Sequence, residues 1–517
     1  MIDVLFGQAY FLRFDPKLWE AQQPYAPLGT LYAAASVRER GYSVALFDAM
    51  LAESEDAWAA SLAFHRPRFA VLYEDSFNYL SKMCLLRMRE AAMTMMAAAR
   101  SRGIRVIVAG SDASDHPDLY LNGGADLVVM GEGEVTLADV LDKMSGRTDR
   151  PIATIPGICL RAPDGQLVKT AARPIVRDLD TLPDPAWDLV EVEKYRRIWM
   201  ARHGYFSMNV VTTRGCPYHC NWCAKPIYGQ RYSTRTPQHV AAEIEALRDA
   251  YRPDHLWIAD DIFGLKPGWI ERFAAIVAER DAIVPFKCLM RADGVTDATT
   301  RALKMAGCRT VWIGAESGSQ RVLDWMEKGT RVDQIEMAAR RLHHAGIEVG
   351  FFLQFGYPGE TLDDIQLTLD MVRRCRPDDI GVSVSYPLPG TTFYERVKAD
   401  LGEKQNWVDS GDLAMMYHAT YGQDFYRALH ALVHAEFRGR RAVDLLVEVG
   451  RRPRRLGLKT AREIVGGIVQ AVKRPAIERR VRTLAQQSQA AASGRRAPVL
   501  IPVLSQQAAA IPSEQPQ

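Results

Sequence analysis

The sequence predicts an α/β protein with two successive strand-and-helix domains and a helical C-terminal region. Short apolar runs alternate with amphipathic segments in two series, one before about residue 145 and one over about 205–398. This alternation is typical of parallel sheets covered by helices. After about residue 400 the pattern becomes helical and basic. The 517 residues are enough for two or three domains with sizeable cores.

The first series predicts a Rossmann-like domain over residues 1–145. Its predicted strands are the apolar runs at 1–7, 42–50, 69–74, 104–111 and 125–134. Ligands bind beyond the carboxyl ends of such strands, and here these ends carry Gly7, Asp48, Glu74 and Gly110 to Asp112. The methionine-rich segment 81–100 is more simply explained as a core helix than as a ligand site.

A linker is predicted over residues 146–204, which are rich in proline and turn residues. The second series then predicts six strand-plus-helix units over residues 205–398. The predicted strands are 210–216, 255–263, 285–293, 310–318, 349–361 and 378–391. Six such units predict a partial (β/α)6 TIM-like barrel, which works at the carboxyl ends of its strands.

The rest of the chain, and its composition, indicate a globular protein with a tail. A helical region is predicted over residues 399–484, and the Ala-, Gln-, Ser- and Pro-rich segment 485–517 is predicted to be disordered. The net charge is +3, and no apolar run is long enough to span a bilayer. The N-terminus lacks the pattern of a signal peptide. We therefore expect a cytoplasmic protein whose thiols stay reduced.

Three of the eight cysteines cluster in the segment TTRGCPYHCNWCAKPIYGQRY, residues 212–232. Cys216, Cys220 and Cys223 follow the first strand of the second series, where a barrel is expected to work. Clustered thiolates bind iron–sulfur clusters or zinc. Three cysteines hold three irons of a cubane and leave the fourth iron an open position. Zinc with His219 as the fourth ligand is the alternative, although His219 is adjacent to a cysteine and is awkwardly placed.

The C-x3-C-x2-C spacing, with an aromatic residue before the last cysteine, resembles the signature of the radical S-adenosylmethionine (radical SAM) superfamily. TVWIGAESGS is similar to the family's fourth-strand region, and VGFFLQFGYPGET to its fifth-strand loop. The resemblance implies that the three cysteines are catalytic and bind a [4Fe-4S] cluster, with S-adenosylmethionine on the open iron. It also implies cofactor contacts by Trp222, Asp260, Arg291, Glu316, Ser317, Gly356 and Pro358.

That chemistry splits S-adenosylmethionine into methionine and a 5′-deoxyadenosyl radical, which abstracts hydrogen from an unactivated carbon. Arg214 is expected to place positive charge near the anionic cluster. One departure is that Ala-Asp-Asp stands after the second strand, where many members of the family have Gly-Gly-Glu.

The first 150 residues resemble the N-terminal cobalamin-binding-type domain of one subgroup of that superfamily. YAPLGTLYAAASVRERGYSVALFDA and the Gly131 to Glu134 segment of GADLVVMGEGEVTL carry this resemblance. It implies bound cobalamin. The Asp-x-His-x-x-Gly signature of a histidine cobalt ligand is missing, because Asp115 and His116 are adjacent. The alternative is a domain that has lost cobalamin and serves as a lid or docking surface.

The resemblance implies methyl transfer to an unactivated carbon of a lipid, tetrapyrrole or secondary metabolite. Two alternatives are an oxygen-independent cyclase of the magnesium-protoporphyrin monomethyl ester type and a non-catalytic cobalamin or iron–sulfur sensor. The expected partners are a small-molecule substrate and an electron donor such as flavodoxin or ferredoxin, with no nucleic acid. The basic helices at 436–483 fit a solvated face or peripheral contact with the inner face of a membrane.

Overall fold

Two largely parallel sheets, one of seven strands and one of six, organise the chain. The computed structural model describes residues 2–83, 85–225, 227–402, 404, 406–451 and 457–493. The first sheet contains β1 (Val4–Gly7), β2 (Val44–Leu46), β3 (Phe69–Tyr73), β4 (Arg105–Ala109), β5 (Leu127–Val129), β6 (Ile158–Arg161) and β7 (Leu167–Lys169). Its order is β2-β1-β3-β4-β5-β6-β7, and β1 to β5 are parallel.

Helices cover both faces of this sheet, as the sequence predicts. They are α1 (Pro16–Ala21), α2 (Leu28–Glu39), α3 (Asp56–His65), α4 (Tyr79–Met83), α5 (Leu86–Arg100), α6 (Ser111–Asp115), α7 (Pro117–Asn122) and α8 (Glu134–Met144). Side chains alternate along β1 between two cores: Leu5 packs with α3 and α5, while Val4 and Phe6 pack with α2 and α8. Met95 and Met96 are fully buried, which agrees with the core role predicted for the methionine-rich helix.

The segment predicted as a linker, 146–204, is more than a connector. β6 pairs antiparallel with β5, and β7 with β6, so the segment extends the first sheet by two strands. It also forms α9 (Val192–His203), whose Trp199 is fully buried against Tyr25. The proline-rich sequence of this segment does not predict these short elements. Each is stabilised by pairing and packing with distant residues, and its own local pattern is weak.

The second sheet is a half-barrel whose strand order follows the chain, β8-β11-β12-β13-β14-β15, with every pair parallel. The strands of this region are β8 (Ser207–Val210), β9 (Thr213–Arg214), β10 (Ser233–Thr234), β11 (His255–Ile258), β12 (Phe286–Met290), β13 (Cys308–Glu316), β14 (Glu348–Phe355) and β15 (Asp379–Val384). The short β9 and β10 pair with each other, outside the half-barrel.

Helices between the strands close one side of the half-barrel. They are α10 (Pro237–Tyr251), α11 (Trp269–Glu279), α12 (Asp297–Met305), α13 (Gln320–Trp325), α14 (Val332–His344), α15 (Leu362–Cys375) and α16 (Thr392–Val397). Val311 and Ile313 of β13, and Val349 and Phe351 of β14, are fully buried. The predicted α/β class and partial barrel are therefore confirmed.

The C-terminal region is a pair of long helices, α17 (Gln423–Arg451) and α18 (Leu458–Ser493). They run antiparallel and approach closely at Gly467, where a Cβ would lie 2.4 Å from the Arg438 backbone oxygen. The first half of α17 packs on the barrel through Phe425 and Leu429. Residues 485–493, predicted to be disordered, continue α18, and residues 494–517 lie outside the described part. No described helix has the length and apolar character to cross a membrane.

Candidate functional site

The three clustered cysteines lie on one loop, residues 215–232. β9 and β10 pair antiparallel at its two ends and hold it closed. Gly215 opens the loop with a φ of +79°, and a Cβ there would lie 2.2 Å from a backbone oxygen across the loop. Cys216 is buried, whereas Cys220 and Cys223 are partly exposed. The loop therefore presents its thiols at the carboxyl end of β8, where a barrel of this kind works.

Positive charge surrounds the three thiols. Four cations from the loop, α4 and the segments after β12 and α13 interact electrostatically with them: Lys225, Lys82, Arg291 and Lys328. Burial raises the pKa of the Cys223 thiol to about 12 and also raises the pKa of Cys216. Neutral thiols are thus favoured when the loop is empty, and the cations favour an anionic group bound there.

The donor chemistry of this loop fits an iron–sulfur cluster. The three thiols lie on one loop and influence one another electrostatically. The zinc alternative needs His219 as a fourth ligand, and the His219 side chain is exposed. Within the described part of the chain, no three His, Cys, Asp or Glu side chains are placed to hold a metal ion. Each cysteine of a four-iron cluster binds a different iron, and binding takes the proton from each thiol.

Asn221, between the second and third cysteines, fastens the loop to the barrel. Its side-chain nitrogen donates to the backbone oxygen of Trp325 at 2.7 Å and to Glu327 at 3.1 Å. Its side-chain oxygen accepts from the Tyr357 hydroxyl at 3.0 Å. Its backbone nitrogen and oxygen bond to the end of α13 and to α16. These five hydrogen bonds fix the part of the loop that carries two of the three thiols.

Asp260 and Asp261 follow β11 and have different surroundings. Asp260 is buried and accepts from the backbone nitrogens of Thr212 at 2.7 Å and Thr213 at 3.0 Å, and from the Thr212 hydroxyl. Burial raises the pKa of Asp260 to about 7, although these hydrogen bonds lower it. Asp260 therefore anchors the chain that enters the cysteine loop, and its contact with a cofactor stays a prediction. Asp261 pairs with Lys82 at 2.5 Å.

Arg291 holds the cysteine loop from a second side, at the carboxyl end of β12. Its guanidinium lies 3.6 Å from the centre of the Tyr218 ring, between the first and second cysteines. It also donates to Asp293 at 2.9 Å and to the backbone oxygen of Lys328 at 2.9 Å. Arg291 therefore links the loop, the end of β12 and the segment after α13.

Glu316 and Lys328 form a buried ion pair at 2.7 Å beside the cysteine loop. Glu316 ends β13 with a φ of +57°, which is uncommon outside glycine. Burial alone lowers the pKa of Lys328, but Glu316 and the Cys220 thiol outweigh it and hold that pKa above its ordinary value. The Lys328 ammonium also lies 5.9 Å from the Trp222 ring. The structure thus brings together two predicted site residues, Glu316 and Trp222.

Ser317 lies inside the protein. It is fully buried, its hydroxyl is 3.1 Å from the Thr368 hydroxyl, and it accepts from the Ser319 backbone nitrogen at 3.1 Å. The contact with Thr368 ties the end of β13 to α15. The predicted contact of Ser317 with the cofactor stays a prediction beside this structural role.

Gly356 opens the predicted fifth-strand loop with a φ of +85°. Its N–H donates to Glu360 at 2.6 Å, and its backbone oxygen accepts from the Tyr417 hydroxyl. Glu360 is fully buried, burial raises its pKa to about 8, and its Oε1 has no hydrogen-bond partner among the described residues. Pro358 is half-buried in this loop. The buried Glu360 carboxyl group therefore stabilises the loop from Gly356 to Glu360 by accepting a hydrogen bond from its first backbone N–H.

Arg214 joins the two domains immediately before the cysteine loop. Its guanidinium, expected to face the cluster, donates instead to Glu132 at 2.5 Å and to Glu134 at 2.7 Å. All three side chains are buried. The Gly131 to Glu134 segment of the first domain therefore binds the base of the cysteine loop. A second contact between the same regions joins the hydroxyls of Ser76 and Tyr228 at 2.8 Å.

A narrow cleft lies between the two domains, beside the cysteine loop, and has a cavity volume of about 20 Å³. On one side it is lined by the carboxyl end of the first sheet and α4, and on the other by the cysteine loop and the segments after β15. The lining includes Lys82, Asp112, Asp115, His116, Ala224, Leu388 and Trp407. The carboxyl ends of the strands of both sheets, where ligands bind in such folds, therefore face the same cleft.

Comparison with known families assigns both domains. The model of the radical SAM superfamily matches residues 210–372, and that of the B12 binding domain matches residues 18–141.

The chain carries a radical SAM domain over residues 210–372.

It is a radical SAM enzyme that also carries a B12-binding domain. The chain is 25% identical over 386 residues to an uncharacterized methyltransferase of Pyrococcus horikoshii, covering 74% of this chain and 80% of that protein. It is 28% identical over 287 residues to the anaerobic magnesium-protoporphyrin IX monomethyl ester cyclase of Rubrivivax gelatinosus, covering 55% of this chain and half of the cyclase. The cobalamin-dependent radical enzyme OxsB has the same fold, with a TM-score of 0.71, 17% identity, and coverage of 96% of this chain and 75% of that chain.

Sequence reasoning missed three features of this radical SAM site: Asn221, Lys328 and the partners of Arg214. Asn221 lies inside the cysteine motif, but asparagine is common in loops and does not by itself indicate an anchor. Lys328 follows a short helix and meets Glu316 only after the chain has folded. The sequence places Arg214 beside the cysteine motif, but its partners are about 80 residues away. The signal in the sequence is an arginine among apolar and threonine residues immediately before the cysteine motif.

Proposed function

We propose that this radical SAM enzyme transfers a methyl group to an unactivated carbon of a small molecule, using a [4Fe-4S] cluster, S-adenosylmethionine and cobalamin. The observation that carries the proposal is the cleft where the cysteine loop faces the strand ends of the B12-binding domain. One space bordered by both cofactor regions suits chemistry in which the two act on a single substrate.

The chain's own residues fit these groups. Cys216, Cys220 and Cys223 would hold the cluster, and the cations around them would offset its charge. When bound, the cluster supplies the electron that splits S-adenosylmethionine, and cobalamin supplies a methyl carrier. The Trp222 indole nitrogen is buried with no hydrogen-bond partner in the described part of the chain, so a donor is free beside the loop. Glu316, held by Lys328, would accept from a cationic group of S-adenosylmethionine.

Cobalamin would lie in the cleft, against the segment from Asp112 to His116. The His116 side chain is 39% exposed and lies 3.9 Å from Asp112. Asp115 lines the same cleft, with its side chain exposed. Because the histidine signature is missing, we propose that the protein binds cobalamin without a histidine on cobalt. The electron would come from a small carrier such as flavodoxin or ferredoxin.

Radical cyclisation is the second candidate function. The observation that favours it is the similarity to the cyclase of Rubrivivax gelatinosus, a protein named for its action on magnesium-protoporphyrin IX monomethyl ester. The similarity to a methyltransferase covers more of both chains and favours methyl transfer.

Anaerobic reconstitution tests the proposal. The wild-type protein should take up four irons and four sulfides, bind hydroxocobalamin, and release 5′-deoxyadenosine from S-adenosylmethionine under reduction. Cys220→Ala should abolish 5′-deoxyadenosine release, while Cys375→Ala, which removes an isolated buried thiol, should not. When the reconstituted protein is given S-adenosylmethionine with a deuterated methyl group and a small-molecule extract of the source cells, the deuterated methyl group should appear in a product. Zinc without iron, or ligand binding without cleavage as in a sensor, would refute the proposal.

A further inference from the structure

The distal half of the α17–α18 hairpin carries an exposed apolar face. Seven large aliphatic side chains are more than two-fifths exposed there: Val443 (59%), Leu446 (46%), Val447 (50%), Val465 (62%), Ile468 (46%), Val469 (44%) and Val472 (76%). On each helix they recur at three- and four-residue spacing, so they form one stripe on α17 and one on α18. We call these two stripes together the hairpin face.

The two stripes lie on the same side of the hairpin. Ala442 and Gly467 contact each other across the helix pair, with a Cβ on Gly467 placed 2.5 Å from that of Ala442. Val443 and Ile468 each follow one of these contact residues by one position. Each residue along an α-helix is rotated by about 100° from the one before it. When two helices are antiparallel, the residues that directly follow the two contact residues therefore point to the same side of the pair. Val443 and Ile468, one from each stripe, therefore face the same side of the hairpin.

Cations stand at the ends of both stripes. Arg451 follows Val447 by one helical turn on α17. On α18, Arg462 precedes Val465 by three residues, and Lys473 follows Val469 by four. All three side chains are exposed, as is Lys459 one further turn back. Apolar residues in the centre and cations at the rim are the pattern of a helix that lies on a lipid surface.

The charge of the whole chain is concentrated in this hairpin. Residues 438–482 contain fourteen Lys and Arg and four Asp and Glu, a net charge of +10, while the whole chain carries +3. Among the acidic residues, Asp444 pairs with Arg376 and Glu478 with Arg482, while Glu463 is exposed. The remainder of the chain is therefore net negative. This asymmetry would direct the hairpin toward an anionic surface.

We propose that the hairpin face binds the surface of an anionic membrane, with its aliphatic stripes at the level of the headgroups and its cations on lipid phosphates. Charge complementarity favours this occupant over a second copy of the chain, because two such faces would bring their positive charges together. The contact lies on a helix pair outside the barrel, so it requires neither the cluster nor cobalamin.

Flotation of the full-length protein with vesicles tests this inference. The wild-type protein should float with vesicles of phosphatidylglycerol and phosphatidylcholine, and much less with phosphatidylcholine alone. Val465→Asp/Val472→Asp should weaken this binding about tenfold or more, and Lys459→Glu/Lys473→Glu should weaken it and reduce its dependence on salt. The matched controls, Phe64→Asp and Arg102→Glu on the first domain, change one exposed apolar and one exposed basic residue and should bind as wild type does.

Circular dichroism and gel filtration establish that each variant is folded. Equal binding by the wild-type protein and by both hairpin variants would overturn the inference. So would absence of wild-type binding to anionic vesicles, or a wild-type dimer that Val465→Asp/Val472→Asp converts to monomer without any vesicle binding. The measurement uses protein without cofactors, so its failure is distinct from a failure of the proposed catalysis.

Discussion

Arg214 of the barrel donates to Glu134 of the B12-binding domain at 2.7 Å, two residues before the first cysteine of the cluster motif. Glu132 binds the same guanidinium, which also lies 5.3 Å from the centre of the Tyr228 ring. The attachment of one domain to the other and the base of the cysteine loop thus share a single buried side chain. Domain docking and cluster binding are therefore expected to depend on each other.

Replacing Arg214 should uncouple the domains. Arg214→Met leaves two buried carboxylates without their cation, which typically costs about 3–5 kcal/mol. We expect a lower urea midpoint and faster proteolysis between the domains. Arg13→Ala, which breaks an exposed ion pair with Glu53, should cost less than about 1 kcal/mol. Equal losses in the two variants would contradict the role of Arg214.

Replacing Asn221 should loosen the cluster while leaving the fold intact. Asn221→Ala removes three side-chain hydrogen bonds between the cysteine loop and the barrel. Loss of residues that orient metal ligands commonly weakens metal binding about 10–100-fold, so iron should pass faster to a chelator. Asn122→Ala, which removes a surface bond from Arg161, is the control. Identical chelation rates in the two variants would show that the loop does not need this anchor.

The Glu316–Lys328 pair should show strong coupling. Lys328→Met leaves the Glu316 carboxylate buried and unpaired, whereas the double variant with Glu316→Gln removes both charges. Because the partners are in contact, we expect a coupling free energy of about 0.5–3 kcal/mol from urea unfolding of the four proteins. The double variant should be more stable than Lys328→Met alone. Additive losses would mean that solvent, and not the pair, balances these charges.

Glu360 should make the protein less stable as the pH rises. Burial raises its pKa from 4.5 to about 8, so the folded state keeps a proton that the unfolded chain loses. The resulting stabilisation is complete below about pH 4.5 and declines up to about pH 8, by up to about 1.4 kcal/mol per pH unit. Glu360→Gln should remove this dependence, and it should exceed wild type in stability at pH 8 but not at pH 5.

Urea unfolding at pH 5, 6.5 and 8 measures this effect. Glu271→Gln, on the exposed surface of α11, is the control and should follow the wild-type pH dependence. Parallel pH profiles for wild type and Glu360→Gln would show that the Glu360 carboxyl group is not held protonated in the folded state.

Local patterns predicted the elements that depend on nearby residues. Strand β13, for example, lies at Cys308–Glu316, and the sequence predicts a strand at 310–318. The sequence pattern does not predict the strands β6 and β7 or the extension of α18 through Ser493. The sequences of these elements show only weak strand or helix patterns. Pairing of β6 with β5 and packing of α18 along α17 provide the stabilisation that the local sequence does not.

The sequence by itself determined the two α/β domains, the cysteine loop and the class of chemistry, because strand-and-helix periodicity and a motif of three thiols are encoded over short stretches of chain. Only the tertiary structure decided which groups surround those thiols. Arg214 meets Glu132 and Glu134, Glu316 meets Lys328, and the two strand ends face one cleft because buried charges must find partners across the fold. Such pairings join residues far apart along the chain, and no local pattern specifies them.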